Sequence, residues 1–147
     1  MKYRDEAGVA VKFFRVSRWC FDHHLEVVSK IVFRFMQIVL GCTIPYTVKM
    51  GKNCAIAHFH GIVIHHTCVI GDNTLIYQNV TLGGRNGESG PVIGKNVVIG
   101  AGACVLGSIT IGDNVKIGAN AVVLESVPSD CTVVGVPAKI VKKKKKI

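Results

Sequence analysis

The stretch Ile93-Gly94-Lys95-Asn96-Val97-Val98-Ile99-Gly100-Ala101-Gly102-Ala103-Cys104-Val105-Leu106-Gly107-Ser108-Ile109-Thr110-Ile111-Gly112-Asp113-Asn114-Val115-Lys116-Ile117-Gly118-Ala119-Asn120-Ala121-Val122-Val123 repeats every six residues. Aliphatic side chains recur at Ile93, Ile99, Val105, Ile111, Ile117 and Val123, and glycine follows four of them, as Gly94, Gly100, Gly112 and Gly118. Val97, Ala103, Ile109, Val115, Ala121 and Val127 fill the position four residues after each aliphatic. A helix would return its apolar residues roughly every 3.6 positions and a strand every second one. A six-residue period belongs to a parallel β-helix, an all-β solenoid with three short strands per coil. The aliphatic is predicted to point inward at each corner, and glycine to permit the backbone angle of the adjoining turn.

A less regular ladder precedes it, through Ile44, Met50 and Ile56 and then Ile64, Ile70, Ile76 and Leu82. The step from Ile56 to Ile64 is eight residues, with the extra length in Ala57-His58-Phe59-His60-Gly61-Ile62-Val63. A second break, residues 83–92, carries four glycines and Pro91 and reads as a loop projecting from the prism. Solenoid insertions collect on one face, often the binding face. His58 and the 83–92 loop are therefore predicted to flank one cleft. The organisation that follows is an N-terminal helical segment over 1–42, the β-helix over 43–137, and a basic tail over 138–147.

The chain has 147 residues, enough for one compact domain, and a formal net charge of +9. Lys142 to Lys146 supply five of those nine charges, so the basic balance lies mostly in the tail. No nucleic-acid-binding motif accompanies it, and a nucleic-acid partner is not predicted. The lysine run reads first as a solvated, disordered end; an anionic membrane surface or the phosphates of a cofactor are the alternatives. Six cysteines show no C-x-x-C spacing, and Cys54 and Cys68 sit where the ladder wants a small buried side chain. Without a secretory signal, they are predicted to be reduced core residues of a cytoplasmic protein, with the inner membrane surface as a further location.

Between Leu25 and Leu40 the polar residues Glu26, Lys30, Arg34 and Gln37 form a narrow stripe on an otherwise apolar helix. Lys30 and Arg34 interrupt it, so it falls short of the roughly 18 uncharged residues of a membrane span. Val11 to Phe21 is predicted to form a second helix. The greasy sides must be buried, against the solenoid end or a partner subunit; a membrane surface is the sharper alternative.

Four of the six histidines cluster as His58, His60, His65 and His66. Imidazole titrates near neutrality and can take a proton from an attacking hydroxyl. His58 lies inside the first break, where a side chain can leave the regular wall, and is the candidate base. His60 is read as pointing inward or toward a partner chain, and His65 and His66 as corner residues. Gly83 and Gly84, at the entrance of the loop, would let a ligand or a backbone approach closely and offer N–H donors. Ala101 and Ala119 lie one 18-residue coil apart on one corner, which predicts a shallow groove for a long, thin ligand. Gly135-Val136-Pro137-Ala138-Lys139 ends the repeat and is predicted to bring Lys139 and Lys142 to the far end of that groove, where two cations can meet phosphates; ordinary surface lysines are the competing reading.

Residues 56–70, Gln78-Asn79-Val80-Thr81-Leu82-Gly83-Gly84, Ile99-Gly100-Ala101-Gly102-Ala103 and Gly135-Val136-Pro137-Ala138-Lys139 together resemble serine acetyltransferase. They also resemble the short sugar O-acetyltransferases of capsule and lipopolysaccharide clusters, in the same hexapeptide-repeat superfamily. The resemblance covers about residues 41–142. It implies a left-handed parallel β-helix, a homotrimer with active sites between subunits, and acetyl-coenzyme A as co-substrate with no metal. Position by position, it implies His58 as catalytic base, Gly83, Gly84, Ala101 and Ala119 along the acetyl-coenzyme A groove, and Lys139 and Lys142 at its phosphate end. The acceptor it implies is L-serine or a saccharide hydroxyl.

The chain also departs from serine acetyltransferase. That family has an aspartate just before the catalytic histidine, where this chain has Ala57, and an Arg-His pair ahead of the loop proline, where it has Ser89-Gly90. A zwitterion needs charged partners, whereas a sugar needs mainly neutral hydrogen bonds. Glu88 is a candidate to stand in. Two further classes stay open: a zinc-dependent hydratase of the carbonic-anhydrase type using His60 and His65, and a non-catalytic scaffold. A lipid-linked saccharide would give the greasy helix and the lysine tail a joint purpose at a membrane.

Overall fold

The computed structural model describes residues 8–143; Lys144, Lys145 and Lys146 of the basic run lie outside the described residues. Two helices, α1 (Gly8–Asp22) and α2 (Glu26–Val39), precede the strands. The first seven strands are β1 (Lys49–Met50), β2 (Ala55–Ile56), β3 (Val63–Ile64), β4 (Val69–Ile70), β5 (Leu75–Ile76), β6 (Thr81–Gly83) and β7 (Val92–Ile93). Then come β8 (Val98–Ile99), β9 (Cys104–Leu106), β10 (Thr110–Ile111), β11 (Lys116–Ile117), β12 (Val122–Val123), β13 (Cys131–Val134) and β14 (Lys139–Lys143). They wind about four turns around a three-sided prism. The first face is β1-β4-β7-β10, the second β14-β13-β11-β8-β5-β2, and the third β12-β9-β6-β3.

Each coil stacks its aliphatics on those of the next. Ile56, Ile64, Ile70, Ile76, Leu82, Ile93, Ile99 and Ile111 are all fully buried. Each closes a two-residue strand or sits mid-strand, so one side chain points inward while its neighbour points out. The predicted inward residue thus lies on a face, and Val97, Ala103, Val115 and Ala121 fill the corners from inside. Each fully buried aliphatic stabilises the prism by about 1.5–3 kcal/mol.

The register explains the breaks. Where the ladder is regular, Val98 pairs with Lys116 and Cys104 with Val122, eighteen residues apart. Ala55 pairs with Leu75, twenty apart, and Leu75 with Val98, twenty-three apart. Both breaks leave the strand pairing intact, so their two and five extra residues are expelled at corners.

The corner between the first and second faces holds a column that the six-residue ladder does not announce. Asn53, Asn73, Asn96, Asn114 and Asp130 all have positive φ, at 54°, 59°, 56°, 59° and 63°. Asparagine tolerates this left-handed conformation better than most residues. Each Nδ2 donates to the next Oδ1, at 3.3, 3.2, 3.1 and 3.0 Å in order. An amide can both donate and accept, so it propagates the chain; the Asp130 carboxylate only accepts and ends it.

α1 docks on the β2 end of the prism. Arg15 Nη2 donates to the Gly51 carbonyl at 2.7 Å, and Arg18 Nη1 to the carbonyls of Tyr46, Thr47 and Val48 at 3.3, 3.3 and 3.4 Å. The two helices meet at a buried serine pair: Ser17 Oγ donates to the Ser29 carbonyl at 2.9 Å and Ser29 Oγ to the Ser17 carbonyl at 2.8 Å. The expectation that α2 buries its greasy sides is not met within this chain. Val27, Ile31 and Ile38 remain 71%, 62% and 73% exposed, because α2 packs on α1 rather than on the prism. Among the described residues no helix is long and apolar enough to cross a membrane.

The lysine run does not begin as a free tail. β14 pairs antiparallel with β13, Lys139 opposite Val134 and Lys142 opposite Thr132, and so extends the second face. β2 and β14 are the outermost strands of that face, five steps or roughly 24 Å apart. The helices and the first residues of the lysine run therefore lie at opposite ends of the prism. The cysteines are free, and all but the half-buried Cys104 are buried. Burial pushes the thiols of Cys42 and Cys68 up to about 11, which keeps them protonated and unreactive near neutrality.

The asparagine column yields a test. Asn96→Ala loses two ladder bonds and leaves at positive φ a residue that tolerates it less well than asparagine, and should destabilise the fold by about 2 kcal/mol in denaturant unfolding. Asn96→Gly loses the same bonds without the backbone strain and should cost about half as much. Equal costs would mean that the left-handed conformation carries no strain here.

Candidate active site on two edges of one face

His58 sits in the turn between β2 and β3, exposed, with φ at 59°. Among the described residues, eight of the ten non-glycine residues with positive φ are Asn or Asp; His58 and His24 are the exceptions. Holding an imidazole in this conformation, in a corner lengthened by two residues, projects it from the wall.

The same corner, between the second and third faces, carries a column of turns. Asn79 N–H donates to the His60 carbonyl at 3.0 Å, Gly102 N–H to Gln78 at 2.9 Å, and Asn120 N–H to Ala101 at 2.8 Å. At the top, Val122 N–H reaches the Gly135 carbonyl at 3.0 Å. Ala101 is half-buried and Ala119 exposed, and neither offers more than a methyl group. The groove predicted from the sequence would follow this column. Lys139, opposite Val134, adjoins its far end, whereas Lys142, opposite Thr132, lies further back along the second face. The two lysines are thus separated rather than paired at the groove mouth.

Gly83 and Gly84 lie toward a different corner, between the third and first faces, so within one chain His58 and the loop do not flank a common cleft. A full coil returns the chain to the same corner, and the additional strand β6 carries it one face further. His58 and the 83–92 loop therefore occupy the two edges of the third face.

The loop is ordered by its own bonds. Asn86 and Gly87, with φ at 52° and 81°, form a tight reversal closed by Glu88 N–H donating to the Arg85 carbonyl at 2.9 Å. Thr67 Oγ1 accepts the Gly90 N–H at 2.7 Å, and the Glu88 carboxylate accepts the Ser108 N–H at 3.3 Å. Glu88 thus ties the loop down. A β-carbon on Gly84 would collide with the Glu88 carbonyl, so the loop itself takes the close approach that glycine permits there.

Two clefts adjoin the loop. Beneath it, His65, His66, Thr67, Gly84, Glu88 and Ser89 line about 450 Å³. Toward the β14 end, Arg85, Glu125, Ser126, Pro137 and Lys139 are among the residues around about 680 Å³. Arg85 carries no motif or period in the sequence, and only the lean of the loop brings it to the cavity that Lys139 also lines. His60 is exposed and stacks on the Phe59 ring at 4.6 Å, so it does not enter the core. His60 and His65 lie on different corners, at the two ends of β3. Among the described residues no three His, Cys, Asp or Glu side chains come together as a metal site.

Residues 90–125 match the family model of the bacterial transferase hexapeptide, six repeats. Serine acetyltransferase of Synechococcus elongatus is 45% identical over 130 residues, covering 86% of this chain and 53% of that protein. That of Staphylococcus aureus strain Mu50 is 52% identical over 119 residues, covering 79% of this chain and 56% of that protein. Among solved structures, serine acetyltransferase in complex with coenzyme A from Brucella abortus superimposes with a TM-score of 0.88 at 34% identity, over 92% of this chain and 56% of that one. Neisseria gonorrhoeae serine acetyltransferase in complex with serine gives 0.85 at 38%, over 90% and 55%. The chain spans about half the length of the curated relatives it matches. Its prism is the left-handed parallel β-helix of those structures, and the chain belongs to the serine acetyltransferase-like hexapeptide-repeat acyltransferases.

Proposed function

We propose that this protein transfers acetyl from acetyl-coenzyme A directly to the hydroxyl of a small acceptor, with His58 as general base, in a site shared between neighbouring protomers of a homotrimer. The observation that carries the reading is the position of His58 and the loop on opposite edges of one face. On a three-fold axis each protomer turns one face inward, and each edge of that face meets the other edge of a neighbour. The His58 edge of one copy then faces the loop edge of the next, and a site divided within one chain is united between two.

Acetyl-coenzyme A fits the chain's own features. The methyl-only column at Ala101 and Ala119 leaves room for a thin arm, and the cavity lined by Lys139 and Arg85 offers cations to phosphates. The thioester supplies an activated acetyl group. His58 takes the proton of the acceptor hydroxyl as its oxygen bonds to the acetyl carbon. Backbone N–H groups stabilise the charge developing on the carbonyl oxygen. The carbon–sulfur bond breaks, and the proton passes to the sulfur as the thiol leaves.

L-serine is the first acceptor, on the strength of the similarity to serine acetyltransferases, one of them solved with serine. A saccharide hydroxyl is the second, favoured by Ala57 beside His58 and by Ser89-Gly90 before Pro91. Those positions bring no charged side chain to hold a zwitterion. Thiol release with L-serine and with oligosaccharides, compared side by side, decides between them.

His58→Ala should lower kcat by at least about 100-fold while coenzyme A binding stays nearly unchanged by calorimetry. Mixing His58→Ala protomers with protomers lacking residues 85–89 should restore activity in hybrid trimers, because one interface then unites two intact edges. Near-normal turnover of His58→Ala, or hybrids that stay inactive, would refute the shared site. Lys139→Ala should weaken coenzyme A by about tenfold and dephospho-coenzyme A much less, if its ammonium meets the ribose phosphate. Equal weakening of both ligands removes that assignment.

A further inference from the structure

The cleft beneath the loop holds a histidine whose ring proton is positioned by its neighbours. Thr67 Oγ1 accepts the Gly90 N–H at 2.7 Å and lies 2.9 Å from His65 Nδ1. The hydroxyl can give its own proton to Nδ1 or take one from it on its second lone pair, so this contact alone leaves the direction open. The Thr67 backbone N–H also points at Nδ1, at 3.4 Å. An N–H only donates, so Nδ1 is the acceptor here: the neutral ring then carries its hydrogen on Nε2, and the Thr67 hydroxyl is the donor of its contact.

That Nε2 faces the glycine pair: a β-carbon built on Gly84 would stand 3.7 Å from it. The Glu88 carboxylate shares the cleft but already accepts the Ser108 N–H. The His66 ring lies against His65, centroids 4.2 Å apart, and limits its rotation. Among the described residues, the hydrogen bonds of the His65 ring all run through Nδ1, so the Nε2–H of the half-buried residue is a donor directed into an open cleft.

We infer that His65 binds the acceptor: its Nε2–H donates to an acceptor oxygen other than the one being acetylated, from the loop edge that faces His58 of the neighbouring protomer. Thr67 is its positioning residue, coupling the loop, through the Gly90 N–H, to the tautomer of the ring. This rests on the acyl-transfer reading above and deepens it, because it names the residue that selects an oxygen-bearing acceptor when the loop itself offers Ser89-Gly90.

The test measures thiol release with acetyl-coenzyme A and L-serine, and with N-acetylglucosamine as the saccharide probe. Long-range proton–nitrogen spectra of the imidazoles are recorded alongside. His65→Ala should raise the acceptor KM at least tenfold with the coenzyme A Kd within about twofold. His65→Gln, whose amide can donate from a similar position, should recover most of the loss. Thr67→Val should raise the acceptor KM and abolish the preference for the Nε2–H tautomer, and Thr67→Ser should restore both. An unchanged acceptor KM in His65→Ala, a parallel loss of coenzyme A affinity, or an Nδ1–H tautomer in the wild type would overturn the inference. If His58→Ala is inactive while His65→Ala keeps its KM, this inference fails alone. If the wild type releases no thiol with either probe, the proposed function fails and takes this inference with it.

Discussion

Everything in this molecule depends on stacking one coil's aliphatic side chains directly over those of the next. The inner column from Ile56 to Ile117 excludes water only if each strand keeps its alignment with the strand a coil away. A residue added within a strand would turn its side chains over and place a polar group in the core. Extra residues are therefore tolerated only at corners. This is why two insertions of different length both appear as corner excursions, and why both are available for chemistry.

The same constraint divides the candidate site. Six residues advance the chain by one face, so the interval between the two excursions decides which corners they share. Here it amounts to one coil and one face, and His58 and the loop emerge on the two edges of the third face. A solenoid cannot bend to bring its own edges together. In the proposed trimer a second copy closes the site, which would give assembly a chemical purpose beyond stability.

The fold and the candidate base were largely legible in the chain. The period is set by local geometry, and a break in a period is visible without coordinates; His58 stood inside one. The asparagine column was not legible as a unit, because its members lie eighteen to twenty-three residues apart and matter only once stacked. Arg85 had no signal at all, since its place depends on how the loop leans. That the lysine run begins in a strand, with Lys142 and Lys143 paired to β13, was not legible because composition registers charge and not backbone pairing. The pattern of the helical segment called for a cover, on the solenoid end or a partner subunit, and within this chain α2 finds it only on α1. Amphipathic pattern says that a face prefers burial, and says nothing about whether the same chain supplies the cover.

The sequence by itself determined the period, the core and the positions of the two excursions, because these follow from steric and hydrophobic rules acting over six to eight residues. Only the tertiary structure decided which excursions share a corner, that the Glu88 carbonyl takes the space beside Gly84, and that Thr67 lies against the ring of His65. Those are relations between coils, created when separate stretches of chain are pressed to within a few ångströms, and no local rule contains them.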